Sequence, residues 1–170
     1  NLMSSHDVAR ALSVVGEDKA SMALATMLLF TYPGAPSIYY GDEVGLPGEL
    51  DPDCRRTFPH EKDWNQPLLK LHKELIALRL QHPALRLGRY QVLHAADHTY
   101  VFARSLDSDR LVVAINAAEM TPVSLATQEL IDEKASLTPA FAYGEARCQN
   151  GKVTLPPRSA IICVVAAPKE

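Results

Sequence analysis

His6 and Asp7 stand side by side in the segment Asn1-Leu2-Met3-Ser4-Ser5-His6-Asp7, at the end of what reads as a strand. In parallel α/β folds, ligands gather at the C-terminal ends of strands. An imidazole and a carboxylate placed there orient hydroxyl groups and stabilise positive charge. A metal site is the competing chemistry, but it needs further His or carboxylate ligands at a workable spacing, and none is present. His94 and His98 are four apart but flank a strand turn, so no metal is expected at either place. Asp42 and Glu43 form a second acidic pair, after Ser37-Ile38-Tyr39-Tyr40-Gly41. They read as turn-capping groups that bond loop backbone rather than as catalytic acids. Cys54 has no neighbour that would lower its pKa and is given no nucleophilic role.

The elements that must carry these residues are legible in outline. Asn1–Met3 reads as a strand end. A helix is predicted over Asp18–Phe30, with Glu17 and Asp18 where a helix N-terminus favours negative charge. Met22–Phe30 is apolar almost all round, which predicts burial on most sides. Pro33 and Gly34 end it. Ser37–Tyr40, between Pro36 and Gly41, reads as a buried strand of a parallel sheet. A long loop with five Pro or Gly residues runs from Val44 to Asp63. Asn65 caps a further helix with Pro67 in its first turn. Leu68, Leu71, Leu75 and Leu78 form its stripe, widened by Leu69, Ile76 and Leu80, and Pro83 stops it.

After Arg86 the pattern changes. Gly88–Leu93, Thr99–Ser105, Arg110–Asn116, Thr121–Leu125, Lys152–Leu155 and Ser159–Val165 are short β runs separated by turn signals, with one possible helix at Gln128–Glu133. Alternating apolar residues on both faces, such as Leu111, Val113 and Ile115 against Val112 and Ala114, are core patterning. Tyr100 and Phe102 face one way, and no aromatic platform stands out. A domain boundary falls near Leu85–Gly88, giving residues 1–85 and 86–170.

Composition narrows the functions. The 170 residues carry 17 Lys and Arg against 20 Asp and Glu, a net charge of −3, so nucleic acid and anionic membranes are unexpected partners. The uncharged stretch from Ala20 to Gly41 is broken by Pro33, Gly34 and Pro36 and reads as two buried elements, not a membrane span. Three widely spaced cysteines fit reduced thiols in a cytoplasmic protein. The start at Asn1, without an initiator Met, predicts a fragment.

Four segments together resemble one family. Asn1–Arg10 resembles the last short signature region of the α-amylase family of glycoside hydrolases. Pro33–Glu43 resembles that family's eighth barrel strand and its exit. Asp51-Pro52-Asp53-Cys54-Arg55-Arg56 is similar to the cyclomaltodextrinase, neopullulanase and maltogenic amylase branch. His82-Pro83-Ala84-Leu85-Arg86 resembles the end of the last barrel helix. The resemblance implies an α/β part plus an all-β part: the last two βα units of a TIM barrel, then an antiparallel β-sandwich. A whole barrel needs about 250 residues.

The resemblance also implies a retaining reaction on α-1,4 links of cyclodextrins, maltodextrins or pullulan, with a nucleophile Asp and an acid/base Glu on earlier strands. Asp7 would be the transition-state stabiliser, His6 a ligand of the same sugar unit, and Asp51 and Arg55 contacts to further units. Asp51 and Arg55 pairing with each other as a loop clamp is the alternative. Arg10 and Arg56 read equally as structural ion-pair residues. Tyr39, Tyr40 and Trp64 read as packing aromatics before sugar platforms, Trp64 at the junction of the two parts. The chain alone is expected to be inactive, to need no cofactor, and to self-associate or pack on another chain through cut barrel edges. Alternatives are a non-catalytic module binding glucan or protein, or one chain of a split enzyme.

Overall fold

The computed structural model describes residues 1–132 and 135–166. They divide into two compact units, Asn1–Arg79 and Leu80–Glu170.

In the first unit, helix α1 (Ala11–Val14) precedes helix α2 (Lys19–Thr31). Asp18 caps α2 by accepting from the backbone N–H groups of Ala20 and Ser21. Met22, Ala23, Leu24, Met27, Leu29 and Phe30 are buried, and Thr26 and Thr31 return their hydroxyls to the carbonyls of Met22 and Met27. Helix α3 (Gln66–Gln81) starts at Asn65, whose side-chain oxygen accepts from Leu68 N at 3.2 Å. Its buried stripe is Leu68, Leu71, Leu75 and Leu78, joined by His72 and Arg79.

The stripe differs from expectation on one flank. Ile76 and Leu80 are exposed, and two polar residues take the interior positions instead. Arg79 explains its own burial. Its guanidinium donates to Phe30 O at 2.8 Å and Gly34 O at 2.6 Å, satisfying carbonyls at and beyond the end of α2. His72 sits edge-on to Phe30, with ring centroids 5.9 Å apart.

The predicted strand at Ser37–Tyr40 contracts to one parallel bridge, Leu2↔Ser37, with Ser37 N donating to Asn1 O at 2.7 Å. Ile38 and Tyr40 are partly exposed rather than buried. A parallel strand is held by neighbours on both edges, and here Leu2 is the one partner among the described residues. Gly41, at φ 90°, then turns the chain into Asp42–Val44. The long loop that follows is ordered by tight turns at Asp53–Arg55 and Glu61–Asp63. Trp64 donates to Pro59 O at 3.0 Å and meets Phe58 edge-on, so its contacts lie within this loop.

The second unit is a two-sheet antiparallel sandwich. Its strands are β1 (Arg89–Ala96), β2 (Thr99–Leu106), β3 (Asp109–Asn116), β4 (Val123–Ala126), β5 (Ser136–Tyr143), β6 (Arg147–Gln149), β7 (Lys152–Leu155) and β8 (Ser159–Ala166). One sheet runs β1-β2-β3-β8-β5 and the other β4-β7-β6. Val101, Val112, Ala114, Ile161 and Cys163 face Leu125, Val153 and Leu155 in a shared apolar core. β3 is buried on both faces from Leu111 to Asn116.

Two strands escaped the sequence reading. β5 contains Pro139 and an irregular register between Pro139 and Phe141, which an edge strand tolerates. β6 is only three residues long. The helix expected at Gln128–Glu133 is a short turn at Thr127–Glu129, and Glu133 lies outside the described residues. Helix α4 (Pro83–Leu87) precedes the sandwich and packs on β2 and β3. Asp109 anchors it, accepting Ala84 N at 2.8 Å and pairing with His82 Nδ1 at 2.8 Å. Gly88 follows because a Cβ there would stand 2.4 Å from Ala84 O.

Candidate functional site

Four side chains converge on the surface of the first unit. His6 Nε2 lies 3.1 Å from Asp7 Oδ2. Arg55 reaches across from the other loop: its Nε donates to His6 O at 3.1 Å and pairs with Asp51 Oδ1 at 2.9 Å, while Nη2 is 3.9 Å from Asp7 Oδ1. All four sequence-nominated residues, His6, Asp7, Asp51 and Arg55, are therefore together. Their side chains stay about half to two-thirds exposed, 49% for Arg55 and 68% for Asp7. Asp51 and Arg55 do pair with each other, and the pair still faces solvent beside Asp7.

Hydroxyl-rich ligands suit this arrangement. Two carboxylates accept from hydroxyls, and the guanidinium and imidazole donate. Among the described residues no group of three His, Cys, Asp or Glu side chains is arranged to hold a metal ion.

Beneath the cluster lies a buried polar layer. Ser4 Oγ donates to Asp42 Oδ1 at 2.9 Å and accepts from Ala11 N at 2.9 Å. Arg10, fully buried, approaches the same carboxylate oxygen at 3.4 Å. Burial raises the Asp42 carboxyl above the ordinary range, and the hydrogen bond from Ser4 and the charge of Arg10 oppose that rise. Glu43 bonds Gly41 N at 2.8 Å, as a turn cap should. Asp42 departs from that expectation: its partners are Ser4 and Arg10 side chains.

The flanking residues are structural. Arg56 grips Asp53 through Nε at 2.7 Å and Nη2 at 2.8 Å. Those bonds, with that of Glu49 N, hold the Asp53 carboxyl below the usual range. Cys54 is wholly buried, its thiol 3.2 Å from His6 O. Tyr39 and Tyr40 meet edge to face with centroids 4.7 Å apart, and Tyr40 donates its hydroxyl to Arg56 O. The sequence signal that pointed least clearly to this layer was Ser4, a lone hydroxyl next to His6-Asp7.

Models of two domains cover most of the chain. Residues 1–62 match "Alpha amylase, catalytic domain" and residues 88–162 match "Alpha-amylase C-terminal domain". The chain belongs to the α-amylase family. Its first unit carries the last two βα units of the family's barrel and its second the antiparallel sandwich. A cyclomaltodextrinase of Bacillus sp is 42% identical over 123 residues, covering 68% of this chain and 21% of the relative. Neopullulanase 2 of Thermoactinomyces vulgaris is 40% identical over 119 residues, again 68% of this chain and 20% of the relative. Among solved structures, a Nostoc punctiforme debranching enzyme superposes with a TM-score of 0.83 at 45% identity, covering 96% of this chain and 35% of that one. The chain thus spans about a fifth of the length of these curated relatives.

Proposed function

We propose that this chain supplies part of the substrate cleft of a retaining α-glucan hydrolase acting on α-1,4 links of cyclodextrins, maltodextrins or pullulan. The convergence of Asp7, His6, Asp51 and Arg55 on one exposed surface carries the reading. Asp7 accepts from sugar hydroxyls, and its charge counts for more as oxocarbenium character develops. His6 donates to the same unit. Arg55 and Asp51 hold the neighbouring units. Retention requires a second pair of carboxyls, a nucleophile and an acid/base about 5 Å apart. In this reading they belong to strands outside these 170 residues, and the chain alone does not turn over.

Support for the substrate class comes from the relatives' names, cyclomaltodextrinase and neopullulanase. The likeness to a debranching enzyme over 96% of the chain favours a second reading, cleavage at glucan branch points. Three free thiols fit a cytoplasmic setting. Among the described residues no helix is long and apolar enough to cross a membrane.

The test is reducing-end release from β-cyclodextrin and pullulan by protein of confirmed intact mass. No release above buffer is the expected result. Turnover by this chain alone would overturn the division of labour and send the search to Asp7, Asp42, Glu43 and Asp51.

A further inference from the structure

Asp7 and Arg55 sit on different loops, Arg55 at the end of the short turn Asp53–Arg55. The 49–56 loop has internal ties, Arg56 to Asp53 and Glu49 N to Asp53 Oδ2 at 2.7 Å, which shape it without placing it. Tyr40 donates its hydroxyl to Arg56 O, and Ser13 Oγ accepts from Gly48 N at 2.9 Å, but one buried side chain ties several of the segments at once. Arg10 is wholly buried at the root of the His6–Asp7 loop. Its Nε donates to Cys54 O at 2.8 Å. Its Nη1 donates to Tyr40 O and lies 3.4 Å from Asp42 Oδ1. Its backbone N–H donates to Gly48 O at 2.8 Å. The guanidinium carbon stands 4.1 Å from the Tyr39 ring centroid and 4.5 Å from that of Tyr40. Gly48 leaves room for it, since a Cβ there would stand 3.0 Å from Arg10 Cγ.

We propose that Arg10 is a positioning residue for the Asp7–Arg55 site: by tying Cys54 O, Tyr40 O and Asp42 to the base of the His6–Asp7 loop, it sets the gap in which those two side chains meet a ligand. The nature of that ligand rests on the glucan reading above. Arginine suits the task because its planar fork directs several donors at once and stacks on aromatic faces. A lysine ammonium keeps the charge but cannot span Cys54 O and Tyr40 O in that fixed geometry. One bond further along, the Cys54 thiol and Arg55 Nε both reach His6 O, so movement of residue 54 moves Arg55 relative to Asp7.

Cys54 reports the loop position. The full chain and its Arg10→Lys and Arg10→Met variants are alkylated with iodoacetamide, and the peptide carrying Cys54 is quantified by mass. Maltotriose affinity is measured on the same proteins by NMR titration. His72→Leu is the control for lost stability in the same unit. Both Arg10 variants are expected to speed Cys54 alkylation and weaken maltotriose, each about tenfold, the loss of one charge-assisted hydrogen bond. Arg10→Lys carries the test if Arg10→Met fails to fold. Protection of Cys54 in the Arg10 variants, or equal exposure in His72→Leu, overturns the proposal. Unchanged maltotriose affinity in both variants overturns it while leaving the glucan reading intact. Exposure of Cys54 in a protein that never binds maltotriose supports the positioning role and removes the glucan reading.

Discussion

Arg55 is the one guanidinium among the four side chains of the candidate site, and it is shared between Asp51, Asp7 and the His6 carbonyl. Sharing limits what it contributes to stability, because half-exposed ion pairs give about 0–1 kcal/mol. Its donors are available to a ligand. Arg55→Met is therefore expected to lower maltotriose affinity about tenfold while shifting stability by less than about 1 kcal/mol. NMR titration and thermal unfolding of the same samples check both parts. An equal loss of stability and affinity would make Arg55 a loop clamp and nothing more. The sandwich thiols behave differently from any reactive site. Burial pushes Cys163 up to about 12 and raises Cys148 as well, so neither is poised as a nucleophile.

At the scale of elements, polar residues within apolar stripes set conditions on folding. His72 donates from Nδ1 to Leu68 O at 2.9 Å, and its Nε2 is buried without a partner among the described residues. Desolvation lowers the His72 pKa below its ordinary 6.5, because protonation would place a cation at that buried nitrogen. The neutral ring is favoured in the fold. Its contribution is complete above pH ~6.5 and is lost as pH falls through the lower folded value. Unfolding followed by helix signal should lose up to about 1.4 kcal/mol per pH unit in that window, and His72→Phe should flatten the dependence. In the second unit, Asp109 caps α4 from the first position of β3. Asp109→Ala should cost about 1 kcal/mol, read as a lower denaturation midpoint with an unchanged slope.

The whole molecule contains two units that bury their apolar residues differently. The sandwich closes its core between two sheets. The first unit leaves Leu2 at 58% and Ile38 at 38% exposure beside its single parallel bridge. Unpaired strand edges with apolar neighbours invite pairing with another chain. Light scattering should therefore show concentration-dependent association, and the same measurement on Ile38→Lys should show less. A monodisperse monomer for the unsubstituted chain would count against this.

Much of this architecture was readable from residue order alone. The α2 and α3 helices declared themselves through Asp18, Asn65 and the leucine spacing, since local capping and period-3.6 burial are properties of contiguous sequence. Six of the sandwich strands followed from alternation and turn signals. Pro139 and a three-residue strand hid the other two, because edge strands relax the rules that make strands legible. His6, Asp7, Asp51 and Arg55 could be nominated by type and motif. That they meet, and that Arg10, Ser4 and Asp42 form the buried layer beneath them, depends on contacts between residues 32 to 49 positions apart. Sequence thus determined the local elements and the chemistry on offer. Tertiary structure alone decided the spacing of that chemistry, because a hydrogen bond between distant segments is specified by where both backbones go, not by either stretch of residues.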